Sequence, residues 1–269
     1  MSEPKIIKKV LSFDIDQTLN IAKTPIPDEI AELLTKALDH FLICPISGQK
    51  FDQFLIQIVD RLTEATPTQL ANLHLFVAQG TQYYRYNPIG STYLPENWEQ
   101  VYSYPLSSQE VQKITSAIET AARELGFWEA ANLQSGDEII ENRLSQVTFS
   151  ALGQKASTKA KYAWDPDCKK REQIAQRAKE LAPEFEYEIG GTTSINAFTP
   201  GMNKKFGMTH LMDELKVTKD EILYFGDMTQ PGGNDYPVAQ MGIDTITVRS
   251  HEDTAFAIRG LLGIVDKVS

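Results

Sequence analysis

Asp14 and Asp16, followed by the hydroxyl of Thr18, close the apolar run Val10-Leu11-Ser12-Phe13. On an extended segment, residues two apart point to the same side, so both acids are presented together. An apolar strand ending in such a pair delivers it to a sheet edge, where open α/β sheets hold their ligands. The pair suits phosphoryl transfer. One carboxylate can attack phosphorus, the other can move protons, and both can help hold a divalent cation. An acidic turn after a strand has the same pattern, so the rest of the chain must decide.

Three other segments carry matching chemistry. Ser47-Gly48 ends the apolar run Phe41 to Ile46, and a hydroxyl with free backbone N–H groups there can cradle a phosphate oxygen. A Ser that caps the next helix gives the same signal. Lys204 follows Asn203 at a helix start, where an ammonium and the helix N-terminus can neutralise a phosphate. Asp227 follows the strand-like Tyr224-Phe225-Gly226, and the turn Pro231-Gly232-Gly233 returns a second carboxylate, Asp235. Hard oxygen donors on a turn are what Mg²⁺ needs, although helix capping also explains them.

These groups need a scaffold. Ile6 to Phe13, Phe41 to Ile46 and Leu73 to Val77 read as strands, and helices follow Pro27-Asp28-Glu29 and Phe51. This βαβαβ order implies a parallel sheet with helices on both faces. The middle changes character. Tyr83 to Tyr86, Trp98 to Leu106, Leu144 to Phe149 and Phe185 to Ile189 read as strands, with helices after the capping box Ser107…Glu110 and over Lys169 to Leu181. After Gly201 the α/β pattern resumes through Ile222 to Phe225 and Thr245 to Val248. The expected architecture is an α/β core, residues 1–87 and 199–269, with an inserted α+β cap, residues 88–198.

The chain has 269 residues and a formal net charge of −10. An acidic chain without a basic run argues against nucleic-acid and anionic-membrane partners. No apolar stretch is long enough to span a bilayer. Two cysteines, Cys44 and Cys168, form no framework, and a reducing, cytoplasmic setting is the expectation.

Taken in order, the Asp pair, the Ser, the Lys and the Gly-Asp…Asp turn resemble the haloacid dehalogenase-like phosphotransferases, with a doubly wound, Rossmann-like core and an α+β cap of the C2 type, subfamily IIB. Within that superfamily the metal turn Gly226-Asp227-Met228-Thr229-Gln230-Pro231-Gly232-Gly233-Asn234-Asp235 is similar to that of eukaryotic-type phosphomannomutases. So is the spacing of Ile189-Gly190-Gly191, Ser194, Phe198, Gly201 and Lys204. The resemblance implies that Asp14 is the nucleophile that forms an aspartyl-phosphate and Asp16 the general acid and base. It implies that Ser47, Gly48 and Lys204 hold the phosphoryl group. Mg²⁺ would bind Asp14, the backbone carbonyl of Asp16 and Asp227, with Asp235 in or beside its shell.

The same resemblance sets the substrate positions, and here the chain departs from the pattern. Arg143 matches a cap arginine that holds a second phosphate. The next such positions carry Gln154 and Lys161, Lys23 stands for a core arginine, Asn196 replaces an Asp, and Ser194 is kept. Gln17 stands where a Gly is usual. Lys does not replace Arg at a bidentate phosphate site. A weakened second-phosphate site puts a sugar-phosphate phosphatase ahead of a phosphomannomutase in this reading. A non-catalytic phosphosugar-binding protein ranks last, because all four carboxylates are present. Trp98, Tyr102 and Tyr104 are expected either to form a cap interface for a homodimer or to fill the cap's own core.

Overall fold

Four consecutive buried residues, Val10–Phe13, form β1, the strand that carries the acid pair. The computed structural model describes residues 8–21, 24–87, 97–129, 133 and 135–265. After β1 come α1 (Asp28–Ala37), β2 (Leu42–Pro45), α2 (Phe51–Gln57), α3 (Pro67–Leu70), β3 (His74–Val77), β4 (Gln82–Tyr86) and β5 (Trp98–Ser103). The middle holds α4 (Ser108–Glu124), β6 (Ile140–Asn142), β7 (Gln146–Ser150), α5 (Thr158–Trp164), α6 (Lys169–Leu181), β8 (Glu186–Gly190) and β9 (Ser194–Phe198). The chain ends with α7 (Lys204–Leu215), β10 (Ile222–Gly226), α8 (Tyr236–Ala239), β11 (Asp244–Thr247) and α9 (His251–Val265).

The first unit comprises residues 1–103 and 203–269. Its parallel strands run in the order β11-β10-β1-β2. Parallel strands are covered on both faces, which is why β1 is buried at every position rather than at alternate ones, with the Ser12 hydroxyl paired to the Cys44 carbonyl at 2.9 Å. One face packs Leu11, Phe13 and Phe225 against Ile30 and Leu34 of α1 and Ile258 of α9. The other packs Val10, Cys44 and Tyr224 against Met208 and Leu211 of α7. Helices on both faces make this the doubly wound arrangement read from the sequence.

The sheet continues beyond β2. Bridges Ile43↔Leu73 and Ile46↔Phe76 attach β3 in parallel, and β4 and β5 then add as antiparallel strands. The sequence reading put Trp98 to Leu106 in the cap, but β5 pairs with β4, and the second unit spans 104–202, not 88–198. Cross-strand pairing explains the placement. Tyr86 lies opposite Trp98 and their rings meet edge-on at 5.6 Å, while Arg85 and Glu99 pair at 3.0 Å. Trp98 and Tyr102 therefore belong to the first unit and form neither the cap's core nor a cap interface.

The second unit is an antiparallel sheet, β6-β7-β9-β8. Register sets Ile140, Phe149, Ile195 and Ile189 in one row, and this face packs against Ile114 and Ile118 of α4 and Ile174 of α6. The neighbouring row, on the opposite face, is Glu141, Thr148, Asn196 and Glu188. The capping box Ser107…Glu110 starts α4 as read from the sequence. Among the described residues no helix is long and apolar enough to cross a membrane.

Helix α7, which carries Lys204, sits very close to the turn after β3. A Cβ on Gly207 would lie 2.5 Å from the Gln79 carbonyl oxygen and 2.6 Å from Ile46 Cδ1. Gly80 (φ +81°) faces it, and its own added Cβ would lie 2.4 Å from the Gly207 Cα. The contact is backbone on backbone, so the turn must move to admit a methyl group. Gly207→Ala should therefore cost about 1–3 kcal/mol in chemical unfolding. An unchanged midpoint would show that this close approach does not hold α7.

Candidate active site

The Asp14 N–H donates to the Phe225 carbonyl at 2.9 Å, which fixes the end of β1 beside β10. Asp14 is 3% exposed, whereas Asp16 is only partly buried. The chain then turns sharply. Gln17 adopts φ +65°, its N–H reaches the Asn20 carbonyl at 3.0 Å, and the Leu19 N–H reaches Ile15 at 2.8 Å. A side-chain-bearing residue in this left-handed region costs about 1–2 kcal/mol relative to ordinary backbone. The position calls for glycine, and this chain holds it with glutamine.

Lys204 is fully buried at the first turn of α7, a helix capped by Asn203 through its 3.0 Å bond to the Lys205 N–H. Its ammonium donates to Asp14 Oδ1 at 2.5 Å and to Asp235 Oδ1 at 2.6 Å. Asp235, also fully buried, accepts from the Tyr224 hydroxyl at 2.5 Å and, through Oδ2, from the Met228 N–H at 3.0 Å. The Asp235 N–H returns to the Met228 carbonyl at 3.1 Å, closing the turn. A side chain at Gly233 would collide with that same carbonyl, at 2.0 Å. The Pro-Gly-Gly segment is thus the shape that folds Asp235 back under Asp227.

One carboxylate oxygen from each of Asp14, Asp227 and Asp235 lies within 4.8 Å of the others. Three carboxylates facing one ammonium leave two negative charges uncompensated, and the pKa shifts reflect this. Burial pushes the Asp14 carboxyl well above the ordinary range; Lys204 opposes that rise, and Asp235 and Asp227 add to it. Asp227 is pushed up to about 6 by burial and then by Asp235. Burial works against the Lys204 ammonium, but Asp14 and Asp235 outweigh it and hold its pKa above that of an ordinary lysine. An oxygen-only donor set with a local excess of two negative charges fits a hard divalent cation.

Ser47 stands at the end of β2, which is paired in register with β1. It is buried, its Oγ accepts from the Gln49 N–H at 3.4 Å, and its carbonyl accepts from the Gln79 N–H at 2.9 Å. Gly48 beside it is partly exposed. Lys23 lies outside the described residues.

The other substrate candidates lie in the second unit. Arg143 Nη2 donates to Glu141 Oε2 at 2.6 Å, and Gln154 Nε2 reaches the same oxygen at 3.2 Å and Ser150 Oγ at 2.8 Å. Lys161 Nζ donates to the Gln154 carbonyl at 2.6 Å. The Ser194 hydroxyl lies 3.2 Å from that of Ser150, and Asn196 Oδ1 accepts from Thr148 at 2.9 Å. Arg143, Gln154 and Lys161 therefore gather around Glu141 and one backbone carbonyl, while Ser194 and Asn196 share one face of β9.

Sequence reasoning missed Tyr224 and Glu141. A tyrosine inside an otherwise apolar buried strand was a usable signal, because its hydroxyl needs a partner. Glu141 gave none, since one acid on a short strand is unremarkable until its neighbours are known.

With this geometry in place, the similarities are specific. The family model described as eukaryotic phosphomannomutase matches residues 132–264. A probable phosphomannomutase of Caenorhabditis elegans is 24% identical over 276 residues, covering 99% of this chain and all of the relative. Among solved structures, IMP-nucleotidase of Plasmodium falciparum superposes with a TM-score of 0.65 at 14% identity, over 95% of this chain and 68% of that one. A haloacid dehalogenase-like hydrolase from Bacteroides thetaiotaomicron gives 0.60 at 14% identity, over 94% and 99%.

Proposed function

We propose that this chain, an enzyme of the haloacid dehalogenase-like superfamily similar to the eukaryotic phosphomannomutases, moves the phosphoryl group of a phosphosugar by way of Asp14. The observation that carries the reading is the buried Lys204 ammonium held between Asp14 and Asp235, with Asp227 alongside. Asp14 attacks phosphorus and becomes an aspartyl-phosphate. Asp16, being more exposed, exchanges protons. It protonates the leaving sugar oxygen and then takes the proton of the acceptor. Lys204 and the Ser47 hydroxyl hold the phosphoryl oxygens, and Asp235 orients Lys204 and the metal turn. Asp14, the Asp16 carbonyl and Asp227 would hold Mg²⁺, which when bound supplies the positive charge that lets an anionic nucleophile meet an anionic ester.

The acceptor is either a sugar hydroxyl or water. The phosphomannomutase relatives favour the first, interconversion of mannose 1-phosphate and mannose 6-phosphate, which the sequence reading placed second. Gln154 favours the second. It is uncharged where the resemblance implies a phosphate-binding arginine, and its amide is already bonded to Glu141 and Ser150. A mutase must hold a bisphosphate while it reorients, whereas a hydrolase need only admit water.

The test is incubation with mannose 1-phosphate, with and without a hexose 1,6-bisphosphate activator. A 6-phosphate product that requires the activator identifies the mutase, and free phosphate released without it identifies the hydrolase. A chelator should stop either reaction and Mg²⁺ restore it. No turnover of any hexose phosphate would overturn the proposal.

A further inference from the structure

Among the described residues, Gln49 is the only carboxamide whose side-chain nitrogen and oxygen are both buried without a hydrogen-bond partner. The residue is 4% exposed. Its backbone is held on both sides: the N–H donates to Ser47 Oγ at 3.4 Å and the carbonyl accepts from the Ala78 N–H at 3.0 Å. The side chain therefore leaves a fixed backbone two residues beyond the candidate phosphoryl-binding serine. Buried carboxamides normally pair both ends, and one that pairs neither destabilises the fold. A methionine would fill nearly the same volume without that cost.

We propose that Gln49 is a substrate-contacting residue whose carboxamide completes its hydrogen bonds only against a bound phosphosugar. This rests on the phosphosugar reading above. The chemistry fits that class of ligand. Nε2 needs an acceptor, which a phosphoryl oxygen provides, and Oε1 needs a donor, which a sugar hydroxyl provides. The dianion of an aryl phosphate offers only the first. The Gln49 N–H also occupies a lone pair of Ser47 Oγ, which leaves the serine proton free to point to the phosphoryl group. Backbone and side chain of one residue thus serve the same ligand.

The test uses Gln49→Met in the full chain, with thermal unfolding and kinetics on mannose 1-phosphate and p-nitrophenyl phosphate. The ligand-free variant should unfold about 2–4 °C higher, because a buried unpaired amide is gone. Its kcat/KM on the sugar phosphate should fall at least 10-fold, and on the aryl phosphate, which makes only the phosphoryl contact, by a clearly smaller factor. A sugar-phosphate kcat/KM within twofold of the unsubstituted protein would overturn the proposal, as would equal losses on both substrates. So would a lower midpoint, which would show that the amide is already paired without ligand. An unsubstituted protein inert toward phosphosugars would overturn both this proposal and the reading beneath it; an active one with an unaffected variant overturns this proposal alone.

Discussion

Asp14→Asn should keep its fold and lose turnover by roughly 10⁴-fold or more, the scale on which removing a nucleophile acts. Both halves follow from the same contacts. The amide is the same shape, and its oxygen can still accept from Lys204, which lies 2.5 Å from Asp14 Oδ1. Lys204 keeps its second carboxylate, Asp235, at 2.6 Å, so no buried charge is left alone. The variant also removes one of three crowded carboxylates, and the repulsion that Asp14 and Asp227 share with Asp235 diminishes. The unfolding midpoint should thus hold or rise slightly while the initial rate disappears. An amide oxygen cannot form the acyl-phosphate, so no slow residual route through Asp14 remains. Near-normal rates in this variant would remove Asp14 from the nucleophile's role, whatever the metal requirement.

The legible and illegible parts of this chain divide along a physical line. The β1 run, the α1 periodicity and the Pro-Gly-Gly turn could be read because each is a local signal: an apolar run buried on both faces, helical spacing, a turn that demands glycine. Asp14, Lys204 and Asp235 could be placed at strand ends and a helix start, and the structure brings them into contact. That Asp235 takes Lys204, Tyr224 and the Met228 N–H at once could not be read, because those bonds join groups 7 to 31 residues apart. The misplacement of β5 has a similar cause. Its aromatic, half-polar pattern suits either sheet, and only its register with β4 (Tyr86 opposite Trp98) decides between them. Glu141 is the sharpest case. The resemblance implies a ligand phosphate for Arg143, and the structure adds what the sequence did not signal, that its guanidinium also pairs with a carboxylate two residues away.

Lys204→Met should destabilise the metal-free protein by about 3–5 kcal/mol at neutral pH, the cost of stranding buried charge by removing its counterion. Asp14 and Asp235 are 3% and 0% exposed, and the ammonium is their shared partner. Tyr224 and the Met228 N–H still bond Asp235 in the variant, but neither carries a charge. The sign with pH follows from linkage. The Asp14 carboxyl is already raised by burial, and loss of Lys204, the influence that lowers it, raises it further. A raised carboxyl pKa contributes stability below the unfolded value, near 4, and loses it as pH rises through the folded value. The deficit against the unsubstituted protein should therefore be largest at pH 7 and shrink toward pH 5, as the Asp14 carboxyl takes up its proton. Added Mg²⁺ should recover part of it at pH 7, since a cation bound only by the folded state stabilises that state. Chemical unfolding at the two pH values, with and without Mg²⁺, reads all three effects. Turnover should fall by roughly 10²–10³ even in the Mg²⁺-restored protein, because the charge that meets the transferring phosphoryl group is gone. A deficit below about 1 kcal/mol at pH 7 would show that the Asp14 carboxyl is already neutral in the metal-free protein, and the cluster would then be a proton store rather than a waiting cation site.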